Sequence, residues 1–248
     1  MKRLAILGLV LAGAALTATA VFAAYNSVTP AAFDPGKTYL VSAGWITGIG
    51  CPTDAFVADP SADFSDWAGT TTPYEDPACT SGDAKDKKNE GLLLAKTGPT
   101  VTNFASATAE LKGVKGMEID ELGYDIRKPG PTIADDRGSH CGAGAPRFNI
   151  VADGESYFLG CSSPPPTSTL VGTGWLRLRW GEGVAPLMAF CASCPGFPLV
   201  DITGQTIESI HIVFDEGQDA SGGPDNFGVA ILDNVDLNGM LVGRGSTQ

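Results

Sequence analysis

Trp175-Leu176-Arg177-Leu178-Arg179-Trp180 alternates without exception. Leu176, Leu178 and Trp180 fall on one side of an extended chain, and Trp175, Arg177 and Arg179 on the other. Side chains that switch sides at every residue define a β-strand with one apolar and one polar face. The same period of two recurs on both sides of this stretch. In Glu118–Arg127, Leu122, Tyr124 and Ile126 oppose Glu121, Asp125 and Arg127. In Ile207–Phe214, Ile210, Ile212 and Phe214 oppose Ser209, His211 and Val213.

Further short β-rich runs, at 92–96, 105–114, 147–152, 156–161 and 227–237, are separated by turn residues. Ala152-Asp153-Gly154-Glu155 is a hairpin signal. Ser162–Thr169, SSPPPTST, holds three prolines and so forms an extended surface loop rather than a central strand. No stretch keeps a helical period. About eight strands with this spacing predict an all-β fold: a two-sheet antiparallel β-sandwich, jelly-roll-like, over residues 91–248. Residues 24–90 are expected to be a loop-rich, disulfide-stapled segment packed on it, with one strand-like run at 37–49.

The N-terminus carries Lys2 and Arg3, then an uncharged apolar stretch to Val21, ending in Val21-Phe22-Ala23. That is the pattern of a signal peptide over residues 1–23, cleaved after Ala23, and it predicts a secreted protein. Gly13, Thr17 and Thr19 dilute the stretch below what a membrane anchor needs. The remaining 225 residues carry fourteen basic and twenty-eight acidic side chains, a net charge of −14. Such a chain is repelled by nucleic acid and anionic lipid, and suits neutral or cationic ligands. Outside the cell its six cysteines, Cys51, Cys79, Cys141, Cys161, Cys191 and Cys194, are expected as disulfides. Nearest-neighbour pairing gives 51–79, 141–161 and 191–194. Cys191-Ala192-Ser193-Cys194 is also the spacing of a thiol-disulfide enzyme, but no βαβ context accompanies it.

Three constellations carry possible chemistry. Trp175 would stack on a sugar ring while Arg177 and Arg179 donate to hydroxyls or a carboxylate, with Glu121 and Asp125 on the same sheet. Any half-exposed strand with cross-strand ion pairs shows the same alternation. Asp215, Asp219 and Asp225 lie on a Gly-rich loop with hard oxygen donors suited to Ca²⁺, and Asp233 and Asn234 are weaker additions. Asp and Asn also favour turns for local reasons. Asp59, Asp63 and Asp66 form a looser acidic group. A hydrolase triad would have to use His140 or His211, and no nucleophile elbow accompanies either. Paired carboxylates such as Glu121 and Asp125 would serve a polysaccharide hydrolase or lyase, since spatial separation decides that chemistry.

Asp233-Asn234-Val235-Asp236-Leu237, within the run from Asp225 to Gly239, is similar to the closing strand of secreted bacterial jelly-roll modules of the galactose-binding-like or carbohydrate-binding type. The resemblance implies a two-sheet antiparallel sandwich, often with structural calcium and sometimes with a glycan site. Together these readings predict a secreted, non-catalytic binding or surface-structural protein, glycan-directed and calcium-stabilised.

Overall fold

The structure is a computed structural model that describes residues 25–51, 56–58, 71–73, 82–128, 141, 145–171, 175–218 and 228–245. The predicted signal peptide, Asp59, Asp63, Asp66, Cys79, His140, Asp219 and Asp225 lie outside them. All regular structure described is strand: β1 (Ser27–Phe33), β2 (Val41–Thr47), β3 (Phe56–Ala58), β4 (Thr71–Pro73), β5 (Glu90–Lys96), β6 (Ser106–Lys112), β7 (Glu118–Ile119), β8 (Leu122–Arg127), β9 (Arg147–Ala152), β10 (Glu155–Leu159), β11 (Thr167–Val171), β12 (Trp175–Trp180), β13 (Met188–Cys191), β14 (Leu199–Asp201), β15 (Gln205–Phe214), β16 (Val229–Leu237) and β17 (Met240–Val242).

Two antiparallel sheets form a sandwich. The first runs β1-β6-β15-β9-β10-β13-β14, with β7 beside β15. The second runs β11-β12-β8-β16-β5-β2, with β17 beside β16. A separate hairpin pairs β3 with β4. The inner faces are the predicted apolar ones: Leu176, Leu178, Trp180, Leu122, Tyr124, Ile126, Ile210, Ile212 and Phe214 are all buried in one core. At its centre Tyr124, Phe148 and Trp180 meet with ring centroids 5.4, 5.6 and 6.1 Å apart. The polar ends of two of these rings are satisfied, Tyr124 Oη donating to Pro146 O and Trp180 Nε1 to Pro164 O, each at 2.8 Å.

Three sequence expectations change. Residues 24–90 hold a strand beyond the expected run at 37–49: that run appears as β2, paired with β5, and β1 also pairs along its whole length with β6. The run 118–127 is split: Glu118–Ile119 pairs with the first sheet and Leu122–Arg127 with the second. The chain crosses between sheets at Asp120-Glu121, where Asn238 Oδ1 accepts both backbone N–H groups at 2.9 and 3.0 Å. The expected loop Ser162–Thr169 runs into an edge strand, β11, which begins directly after Pro166.

The expected hairpin is present, with Asp153 and Gly154 at positive φ between β9 and β10. Disulfides join Cys141 to Cys161 and Cys191 to Cys194. Cys51 is also disulfide-bonded; its expected partner, Cys79, lies outside the described residues.

Candidate functional site

The face expected to hold a ligand, the outer side of β12 and β8, is polar but closed. Trp175 is 1% exposed and Asp125 is 0% exposed. Asp125 accepts from Arg177 at 2.8 and 2.9 Å, from Asn234 Nδ2 at 2.9 Å, and lies 3.4 Å from Arg179. Arg179 also pairs with Asp236 at 2.9 Å. Gly123, opposite Arg179, is what lets this network form: a Cβ there would stand 2.4 Å from Arg179 Cδ. Burial drives the Asp236 carboxyl up to about 7, against the pull of Arg179, and Glu121 beside it pushes the same way. Burial also raises Asp233, although the backbone N–H groups of Cys51 and Asn234 donate to it. Arg177, Arg179 and Asp125 therefore meet with Asp236 in one charge network, Glu121 stands beside Asp236 at the crossing between the sheets, and the Trp175 ring is shielded from solvent.

The Asp-Asn pair of the closing strand has a structural part in this network. Between Asp233 and Asp236 the pairing of β16 with β8 shifts by one residue. Asn234 takes the left-handed conformation, φ 45°, which asparagine tolerates better than most residues. The bulge changes the phase of alternation. Ala230 and Leu232 before it, and Val235 and Leu237 after it, all reach the core.

An open cleft lies instead on the outer face of the first sheet. It encloses about 700 Å³. Strand pairing sets Glu110, His211, Asn149, Phe158 and Phe190 in one row across β6, β15, β9, β10 and β13. The next row toward the cleft mouth holds Thr108, Val213 and Arg147. Arg147 is fixed on both sides: its guanidinium donates to both Asp215 oxygens at 2.8 Å and lies 5.7 Å from the Phe158 ring centre. Asp215, the described member of the expected calcium trio, is thus paired with Arg147 through both oxygens.

The wall of the cleft is the loop between β5 and β6. Buried Lys96 holds it from beneath, its ammonium donating to Asn103 O at 2.5 Å. Asn103 is 7% exposed; its Oδ1 accepts from Ala105 N at 2.9 Å, while its Nδ2 has no partner. Asn149 Oδ1 on the floor is likewise buried and unpartnered. Both atoms are sealed from solvent, and a buried amide group without a partner costs roughly 1–3 kcal/mol. Phe104 and Phe33 belong to the cleft lining and are 81% and 56% exposed.

Of these residues the sequence had singled out only His211, Val213 and Asp215, and none for this role. The signal is present in the alternation of Arg147-Phe148-Asn149-Ile150, whose polar side pairs in register with that of β15. The Phe104 contribution comes from an irregular loop, which periodicity does not reach.

No protein-family model matches the chain, and no curated protein matches it. Among solved structures it is similar to a family 11 carbohydrate-binding module from Clostridium thermocellum in complex with a β-1,3-1,4-mixed-linked tetrasaccharide. The two are 13% identical, with 89% of this chain and 93% of that chain covered and a TM-score of 0.34. At that level the likeness extends to the fold at most.

Proposed function

We propose that this chain is an exported, non-catalytic binding protein that takes a carbohydrate in the cleft on the outer face of its first sheet. One observation carries the reading: the cleft lining sets the exposed rings of Phe104 and Phe33 together with the polar side chains of Thr108, Asn149 and His211. A sugar offers both halves of the complement, hydroxyls that donate and accept and C–H faces that pack on an aromatic ring. A strongly acidic chain favours neutral glycans over polyanionic ones.

Glycoside hydrolysis uses two carboxylates. Among the described lining residues Asp215 is the single carboxylate, and it is held by Arg147. Export rests on the signal-peptide pattern and is compatible with the disulfides. Calcium forms no part of the proposal.

A glycan array probed with the purified chain tests it. At least one neutral glycan is retained, and Asn149→Ala weakens that binding. An array without a retained glycan, or binding that Asn149→Ala leaves unchanged, contradicts it.

A further inference from the structure

The β9–β10 turn and the Cys191–Cys194 turn meet at one end of the first sheet. Ala192 N donates to Ser156 O at 2.7 Å, and Ser156 N donates to Ser193 Oγ at 2.9 Å. The Ser193 hydroxyl donates in turn to the Glu155 carboxylate and lies 3.7 Å from Cys191 Sγ. A Glu155 oxygen and the two sulfurs all lie within 4.8 Å of one another. No other group of three His, Cys, Asp or Glu side chains converges in this way among the described residues. Cys191 is buried, Cys194 half-buried and Glu155 exposed, so the cluster has one side open to water.

We propose that reducing this disulfide turns the cluster into a site for a zinc-class divalent ion, held by Cys191 Sγ, Cys194 Sγ and a Glu155 oxygen with water in the fourth position. The oxidised protein has no thiolate here and does not bind. Two molecules of a thiol reductant open the site. The sulfur–sulfur bond breaks, each cysteine sulfur gains one electron and one proton, and the reductant leaves as its own disulfide. The ion then displaces the two thiol protons as it binds.

The distances suit this change. Zinc takes sulfur at about 2.3 Å and carboxylate oxygen at about 2.0–2.2 Å, which puts neighbouring ligand atoms roughly 3.5–3.8 Å apart. The two sulfurs, bonded in the oxidised protein, move apart once the bond breaks, and the Glu155 oxygen, already within 4.8 Å of both, closes on them by side-chain rotation. Two residues between the cysteines is the usual spacing of a zinc-binding pair. Ser193 supplies the outer hydrogen bond that orients a ligating carboxylate.

Titration of the full chain with Co²⁺, before and after treatment with a phosphine reductant, tests the proposal through the sulfur-to-cobalt charge-transfer band. The band appears only after reduction, is displaced by Zn²⁺, and is lost in C191S. E155Q, on an exposed turn, keeps the fold and weakens Co²⁺ binding about tenfold or more. Were C191S not to fold, E155Q alone decides. The proposal is overturned if reduced wild type shows no band, if E155Q binds as tightly as wild type, or if the band survives in C191S and so belongs to other cysteines.

Discussion

Gly123 and Asp236 show how single residues set the character of the second sheet. The guanidinium of Arg179 crosses the space a Gly123 side chain would fill and reaches Asp236 and Asp125. Gly123→Ala therefore pushes Arg179 off two carboxylates and is expected to destabilise the protein by about 1–3 kcal/mol, measured by denaturant unfolding. Asp236 makes stability depend on pH. Unfolded, its carboxyl ionises near the ordinary value of about 3.9; folded, it ionises at about 7. Between those values the folded chain holds the extra proton, so raising the pH through that window weakens the fold. Each unit is worth about 1.4 kcal/mol. Unfolding free energies at a series of pH values should show D236N gaining on wild type from about pH 4 to 7, by up to a few kcal/mol. A constant difference between the two would contradict this origin. The sequence places Arg179 and Asp125 on polar faces of their strands. It does not show that those faces are covered, because burial of an outer face depends on chain that arrives from elsewhere.

At the scale of elements, period-two alternation was sufficient wherever a strand has one side in the core. Arg147–Ala152 and Trp175–Trp180 have the bounds the pattern predicts. It failed where a strand is short, at an edge, or interrupted. Ser27–Phe33 is an edge strand rich in small residues, with most of its side chains exposed or half-exposed. In the run 118–127 the buried phase shifts between Ile119 and Leu122, where the chain changes sheet, and the clamp that fixes the crossing, Asn238, lies more than a hundred residues away. Asn238→Ala removes the acceptor of two backbone N–H groups and the donor to Glu118 O. A loss of about 1–2 kcal/mol in unfolding free energy is expected, and an unchanged value would show that water replaces the clamp. The Asp-Asn motif was legible as a closing strand, but its bulge was not, since a one-residue shift in register leaves no mark on a single sequence.

Over the whole molecule, the two sheets divide the work. The outer side of the second sheet is closed by a buried charge network, and the outer side of the first presents rows of polar and aromatic side chains to solvent. At the end of the strands, Lys128 and Glu216 tie the sheets together as a fully buried pair with Nζ and Oε2 2.5 Å apart. The sandwich and two of its disulfides were legible in the sequence, whereas the open cleft lies on the other sheet from the face that the sequence singles out. Both faces alternate, and only their packing separates a wet one from a dry one. The central claim is tested most directly by calorimetric titration of an array-selected neutral glycan into wild type, Phe104→Ala and Thr169→Ala, the last being an exposed position on the second sheet. Phe104→Ala should weaken binding at least about tenfold, or about 1.4 kcal/mol, and Thr169→Ala should leave it unchanged. Binding that survives Phe104→Ala at full strength, or falls with Thr169→Ala, would contradict the placement of the ligand in this cleft.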